Sequence, residues 1–344
     1  MYTNLINKLF FPILLGLVFT SCKPDAPVDP KGSGNVFILN EGNFQAGNAS
    51  IDQFDPKTSL LSSDVFSSRN QIPLGDVLQS MTIIGDKGYI VVNNSQKIEV
   101  VTLSDLAVQN TITGFTSPRF LLQVSSAKAY VSDLFGGAVS IVDLNTNTIT
   151  GSIALPGWTE EMLLAEGRVF ITNLSSEYVY VVDPATDQVV DSVEVGLGSN
   201  SLRLDKQGRL WVLSSGDSFN GIAGTLSVIN PSDLSTLKSF TFTTSDYPVR
   251  LSVNPDGDRI YYLNNGLYEI AIDATTLPAA PKVLSGEGSY FYGLGVDPVS
   301  GTLYVADALD FSQRGLMLRF EESGTAIDTF RAGVIPSGFV FVEE

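Results

Sequence analysis

From residue 36 onward, apolar residues gather in short runs with polar ends, each run broken by Gly, Pro, Asn or Asp. Lys128–Asp133, Ala138–Asp143 and Thr148–Ala154 are three such runs, with Gly136-Gly137 and Asn145-Thr146-Asn147 marking the turns between them. Runs of six or seven residues between turn signals read as strands. The pattern predicts an inner strand at Phe120–Val124 ahead of these three, completing a unit of four antiparallel strands. The next unit reads as Met162–Ala165, Arg168–Asn173, Tyr178–Asp183 and Gln188–Val195, and the preceding one as Met81–Ile84, Lys87–Asn93, Ile98–Leu103 and Val108–Ile112. Further inner strands are predicted from Leu202, Arg250 and Leu294. No stretch of residues 35–344 sustains an apolar period of 3.6, so helical and membrane-spanning readings fail there.

The units repeat. Phe37–Asn40, Ile90–Asn93, Tyr130–Asp133, Phe170–Asn173, Trp211–Ser214, Tyr261–Asn264 and Tyr304–Asp307 each place a large apolar residue three positions before a small polar one. Their spacing of about 40 to 53 residues is that of a β-propeller blade, a unit that buries its faces only against its neighbours. The first repeat, starting at Val36, lacks an inner strand, while Gly338–Val342 is a strand left over at the end. Pairing the two closes the ring and protects its edges. The expectation is an all-β, seven-bladed propeller over residues 35–344, sealed by the C-terminal strand. Asp55, Asp143, Asp183, Asn230 and Asp273 end third strands and read as turn fasteners. The polar residues closing the seven repeats read chiefly as caps of strand ends.

In such a blade, the loop between strands two and three shares an end of the ring with the loop joining successive blades. The chain concentrates its irregular, aromatic and amide-bearing segments there. Phe44, Phe135, Phe219, Phe311 and Arg314 fall in second-to-third loops. Arg69, Gln71, Phe115, Arg119, Trp158, Tyr247, Arg250, Tyr290 and Tyr292 fall in blade-joining segments. The other end has tight turns such as Gly85-Asp86 and Asn254-Pro255-Asp256-Gly257. Rings mixed with amides and guanidinium groups suit a large amphipathic ligand, held by stacking and hydrogen bonds. These fourteen residues are the candidate ligand-binding set.

Composition narrows the chemistry. A net charge of −17 with scattered cations argues against nucleic acid as a partner. There is no histidine, which removes Ser-His triads, Cys-His dyads and imidazole metal ligation. No catalytic cofactor or metal is expected. The one cysteine, Cys22, follows Phe19-Thr20-Ser21 and an apolar segment too short to span a bilayer. Residues 1–21 therefore read as an export signal ending in a relaxed lipobox, with Cys22 as lipid anchor and 22–34 as an extended tether rich in Pro and Asp. The expected location is the outer membrane, attached through the anchor alone and exposed at the cell surface.

Gly167-Arg168-Val169-Phe170-Ile171-Thr172-Asn173, Ile260-Tyr261-Tyr262-Leu263-Asn264 and Thr302-Leu303-Tyr304-Val305-Ala306-Asp307, with Val139–Asp143 and Val179–Asp183, resemble the YVTN/YncE-like propeller family across residues 36–344. The lipobox and tether, seven blades and the segment Val36–Asn43 together resemble the BtuG-type surface lipoproteins. That resemblance implies capture of cobalamin or another corrinoid, as ligand rather than catalytic cofactor, and its delivery to a TonB-dependent outer-membrane transporter. Two other classes compete with this non-enzymatic role. One is a calcium-assisted, lactonase-like hydrolase using Asp297, Asp307 and Asn264 as oxygen ligands and Glu41 or Glu287 as base. The other is an adhesion or surface-layer propeller that binds protein or glycan.

Overall fold

The computed structural model describes residues 34–342, which form seven four-stranded antiparallel sheets. The expected signal segment 1–21, the anchor Cys22 and the tether up to residue 33 lie outside the described residues. Strand order within the blades follows the chain, except in the sheet that closes the ring. There Pro336–Phe341 pairs antiparallel with Val36–Asn40, which is followed by Ser50–Asp55 and Leu60–Ser62. Phe339 lies opposite Ile38 and Val340 opposite Phe37. The seam is thus a ladder of backbone pairing, interrupted at Ser337, that joins the first and last strands of the propeller.

The repeated pairing of a large apolar residue with a polar one three positions on has a structural cause. Phe37, Ile90, Tyr130, Phe170, Trp211, Tyr261 and Tyr304 are all buried, packed in the clusters that fill the wedges between blades. At the seam, Tyr304 of blade seven meets Phe339 and Phe341 of the closing strand at ring distances of 5.5 and 5.2 Å. Each blade is a sheet too small to stand alone, and these rings bind it to the next.

Four of the five predicted fasteners hold their third-to-fourth turns, whereas Asp273 makes no such bond among the described residues. Asp143 accepts from the backbone N–H of Asn145, Asp183 from Ala185, Asn230 from Ser232 and Asp55 from Lys57. One element was not expected, the short helix Val65–Asn70 between blades one and two. At six residues it is too short to print a 3.6-residue period. Asp64 caps it by accepting from the Ser67 N–H, and Phe66 anchors it in the core.

A buried carboxylate sits beneath this helix. Asp52 is 1% exposed, its Oδ1 accepts from the Asp64 N–H at 2.9 Å, and its Oδ2 has no partner among the described residues. Burial raises its pKa above the usual carboxylate range, outweighing the hydrogen bonds it accepts. The folded chain therefore holds the Asp52 proton more tightly than the unfolded chain. Stability contributed by that proton is lost as pH rises through the folded-state pKa. Asp52→Asn keeps the acceptor and removes the charge. It should gain about 1 kcal/mol near pH 8, with the gain vanishing toward pH ~4. Melting curves at the two pH values check this, and a destabilised variant near pH 8 would refute it.

Candidate functional site

The axial channel carries a pattern that the linear sequence conceals. In all seven inner strands the second residue is skipped by the ladder, so every inner strand bulges at the same place. Those residues are Gln79, Arg119, Glu160, Asn200, Arg250, Tyr292 and Ser337, one per blade. A bulge leaves a residue unpaired and re-aims its side chain. Repeated around the ring, it lines the mouth of the channel with seven polar or aromatic groups. Glu41, one residue beyond the second strand of blade one, joins them.

Six of these eight groups contact one another from blade to blade, whereas Asn200 bonds Ser215 and the Pro248 carbonyl and Ser337 the Leu39 carbonyl. Arg119 of blade three donates through Nε to Glu160 of blade four at 2.7 Å and through Nη1 to the Gln79 amide oxygen of blade two. Arg250 of blade six lies over the ring of Tyr292 in blade seven, 5.5 Å from its centre, and donates to the Tyr292 carbonyl at 3.3 Å. The Tyr292 hydroxyl donates to Glu41 Oε2 at 3.3 Å. Deeper in the channel, Arg203 pairs with Glu161 at 2.7 Å. The channel cavity holds about 360 Å³ and is lined by Gln79, Ser80, Glu161, Arg203, Arg250 and Ser337, with apolar neighbours. Burial pushes the pKa values of Glu41 and Glu160 up, and the nearby arginines offset only part of that. Burial also raises the Tyr292 hydroxyl, which stays protonated and able to donate.

Outside this polar cup stands a rim of rings. Phe44, Phe135, Trp158, Tyr178, Phe219, Tyr247 and Tyr290 are the exposed aromatic side chains among the described residues, and all seven stand at this end of the propeller. Phe219 is 95% exposed and Phe44 68%. Phe135 meets Trp158 edge-on at 6.1 Å, while Tyr290, Tyr292 and Phe311 form a triad with separations of 4.9 to 6.4 Å. The polar residues that close the repeats hold these rings in place. Asn173 accepts from the Trp158 N–H at 3.0 Å, Asn264 from Tyr247 at 3.2 Å and Asp307 from Tyr290 at 2.7 Å. Asp133 accepts from Thr116 and Ser117 and, on the other side, from Phe135 and Gly136. They act as fasteners, pinning the backbone of the rim aromatics.

The structure brings together most of the predicted binding set and sets four residues apart. Phe44, Phe135, Trp158, Phe219, Tyr247, Tyr290 and Phe311 form the rim, and Arg119, Arg250 and Tyr292 the cup. Phe115 is 6% exposed and packs with Tyr89, Ile112 and Val131 between blades two and three, so it belongs to the core. Arg69 pairs at 2.9 Å with Asp105 in the third-to-fourth loop of blade two, which lies at the opposite end. The adjacent Gln71 amide donates to Ser68 O, closing the short helix. Arg314 donates to Ala332 O and Ser63 Oγ beside a cavity of about 300 Å³ at the seam, away from the axis.

The alternative calcium ligands do not converge either. Asp297 accepts from Val299 and Ser300 in a turn at the opposite end, whereas Asp307 and Asn264 fasten rim loops. Among the described residues no three acidic or thiol side chains are grouped to hold a metal ion. Sequence reasoning missed Gln79, Glu160, Asn200 and Ser337 as members of the ring. The available signal was ordinal: each stands at the same place in its repeat as Arg119, Arg250 and Tyr292.

The architecture has many solved counterparts. A quinonprotein alcohol dehydrogenase-like protein from Bacteroides thetaiotaomicron is similar with a TM-score of 0.72 and 15% identity, over 91% of this chain and 78% of that one. A candidate 6-phosphogluconolactonase from Bacteroides uniformis gives 0.70 and 14%, over 90% and 100% of the two chains. Another from Bacteroides fragilis gives 0.68 and 12%, over 92% and 100%. At these identities the likeness shows the fold alone. No curated protein matches the sequence. A family model described as Domain of unknown function (DUF5074) matches residues 34–337, and this seven-bladed propeller chain therefore belongs to that family.

Proposed function

We propose that the rim end captures a large amphipathic ligand without transforming it, with cobalamin or a related corrinoid as the first candidate. One observation carries this reading. Every exposed aromatic ring among the described residues stands at one end, around a cup of amides, carboxylates and guanidinium groups. Flat apolar faces would stack on the rim while polar arms reach the cup. The loops are held by internal hydrogen bonds before any ligand arrives, which lowers the ordering cost of binding. The lipobox at Cys22 supports a place at the cell surface, from which the ligand would pass to a TonB-dependent transporter.

Calorimetry of residues 34–344 with cyanocobalamin tests the ligand. Saturable heat at micromolar concentrations is the expected result, and its absence removes the corrinoid. Trp158→Ala and Tyr247→Ala should each weaken binding about tenfold while leaving the melting temperature within ~2 °C. Unchanged affinity in both would place the contact elsewhere. A propeller hydrolase is the second reading, carried by Glu41, a carboxyl group of raised pKa that accepts from the Tyr292 hydroxyl and feels the charge of Arg250. Lactone turnover that is lost in Glu41→Gln would favour it.

A further inference from the structure

Within the capture reading, on which this inference rests, we propose that Arg250 and Glu41 form a clamp for a primary carboxamide, accepting the neutral amide and rejecting the matching carboxylate. Charge pairing in the channel singles these two out. Arg119 is paired with Glu160, and Arg203 with Glu161, each at 2.7 Å. Arg250 has no carboxylate within 4 Å, and Glu41 no cation within 4 Å, among the described residues. Tyr292 holds them apart: its ring face carries the guanidinium, and its hydroxyl donates to Glu41 Oε2. Arg250 spends Nε on the Tyr292 carbonyl, and no bond to another described residue occupies its two Nη groups. Glu41 accepts from Tyr292 through Oε2, and near its carboxyl group lies the Ser337 hydroxyl, which donates to Leu39 O at 3.4 Å.

The backbone supports the same assignment. Arg250 holds φ at +61°, a left-handed conformation that costs a non-glycine residue energy and persists where the surroundings impose it. The bulge and this φ together turn the guanidinium toward the axis instead of letting it seek a carboxylate.

The groups left over are donors on Arg250 and an acceptor on Glu41, set apart by Tyr292 at the mouth of the channel. With Glu41 ionised, a carboxylate would gain from Arg250 and be repelled by Glu41, and an ammonium group the reverse. A primary carboxamide offers an acceptor to Arg250 and a donor to Glu41 with no net charge to desolvate. A site built to satisfy both groups rejects an analogue that leaves one of them unpaired.

Benzamide and benzoate share one shape and differ only in this group, so they serve as probes whatever the natural ligand. Ligand-observed NMR titration of residues 34–344 near pH ~7 should show benzamide bound about tenfold more tightly than benzoate. Glu41→Gln, which removes the charge and adds a donor, should abolish or reverse that ratio with the melting temperature unchanged. Arg250→Gln should weaken both probes. Equal binding of the two by the native chain, no binding of either at about 10 mM, or an unchanged ratio in Glu41→Gln would each overturn the clamp. Silence toward cyanocobalamin with the benzamide preference intact would sink the corrinoid reading and leave the clamp standing.

Discussion

Deleting residues 336–344 is expected to abolish the single cooperative melt of the propeller. The closing strand supplies the fourth strand of blade one and buries Phe339 and Phe341 against Tyr304. Its apolar side chains contribute ~1.5–3 kcal/mol each where fully buried, and Phe339, Val340, Phe341 and Val342 are all partly covered. Their loss, together with the ladder to Val36–Asn40, is comparable with the ~5–15 kcal/mol that holds a whole domain folded. It also bares a strand edge in a sheet rich in Val, Ile and Leu, which invites association. Circular dichroism melts and a hydrophobic dye report the outcome. A truncated chain that still melts cooperatively within a few degrees of the full one would show that the ring holds without its seam.

Arg119→Ala should be the most damaging single change in the channel. It strips Glu160, 4% exposed, of the one cation it pairs with and leaves the Gln79 amide oxygen without its donor. Breaking a buried pair from one side costs about 3–5 kcal/mol, because the remaining charge stays in a poorly solvating place. The carboxyl escapes that cost by taking up a proton. Burial already raises the Glu160 pKa, and losing Arg119 removes the main influence that lowers it. The deficit of Arg119→Ala should therefore be largest at neutral pH and shrink as pH falls. Adding Glu160→Gln should recover much of the loss. Melting temperatures of the single and double variants near pH ~7 and ~5 decide it, and a deficit independent of pH and of Glu160 would refute the argument.

Blade count, closure and the end that gathers the exposed aromatic rings were legible because each rests on a short-range pattern. Lys128–Asp133 and Tyr178–Asp183 were placed to the residue by short apolar runs bounded by turn residues. The seam followed from counting one strand short at Val36 and one over at Gly338. The inner strands were less legible. Those of blades two and four begin at Leu78 and Thr159, ahead of the predicted Met81 and Met162. The bulge is the cause: a skipped residue puts two consecutive polar or outward-turned positions at the strand start, and the apolar run appears only after it. Arg119 and Tyr292 thus read as loop residues and Arg250 as the start of its strand, and their ring partners Gln79, Glu160, Asn200 and Ser337 go unseen. Phe115 and Arg69 failed for another reason. Loop membership does not say which way a side chain turns, and only the packing of blades two and three and the ion pair with Asp105 decide that.

The constant bulge separates two tasks within every inner strand. Residues after it build the wall between blades, whereas Gln79, Arg119, Glu160, Arg250 and Tyr292 upon it chiefly meet one another across the ring. Selection can therefore alter the chemistry of the mouth through these five letters of the chain, exchanged in compatible pairs such as Arg119 with Glu160. The scaffold that holds them need not be redrawn, and descendants of this chain could differ at the mouth while keeping one architecture.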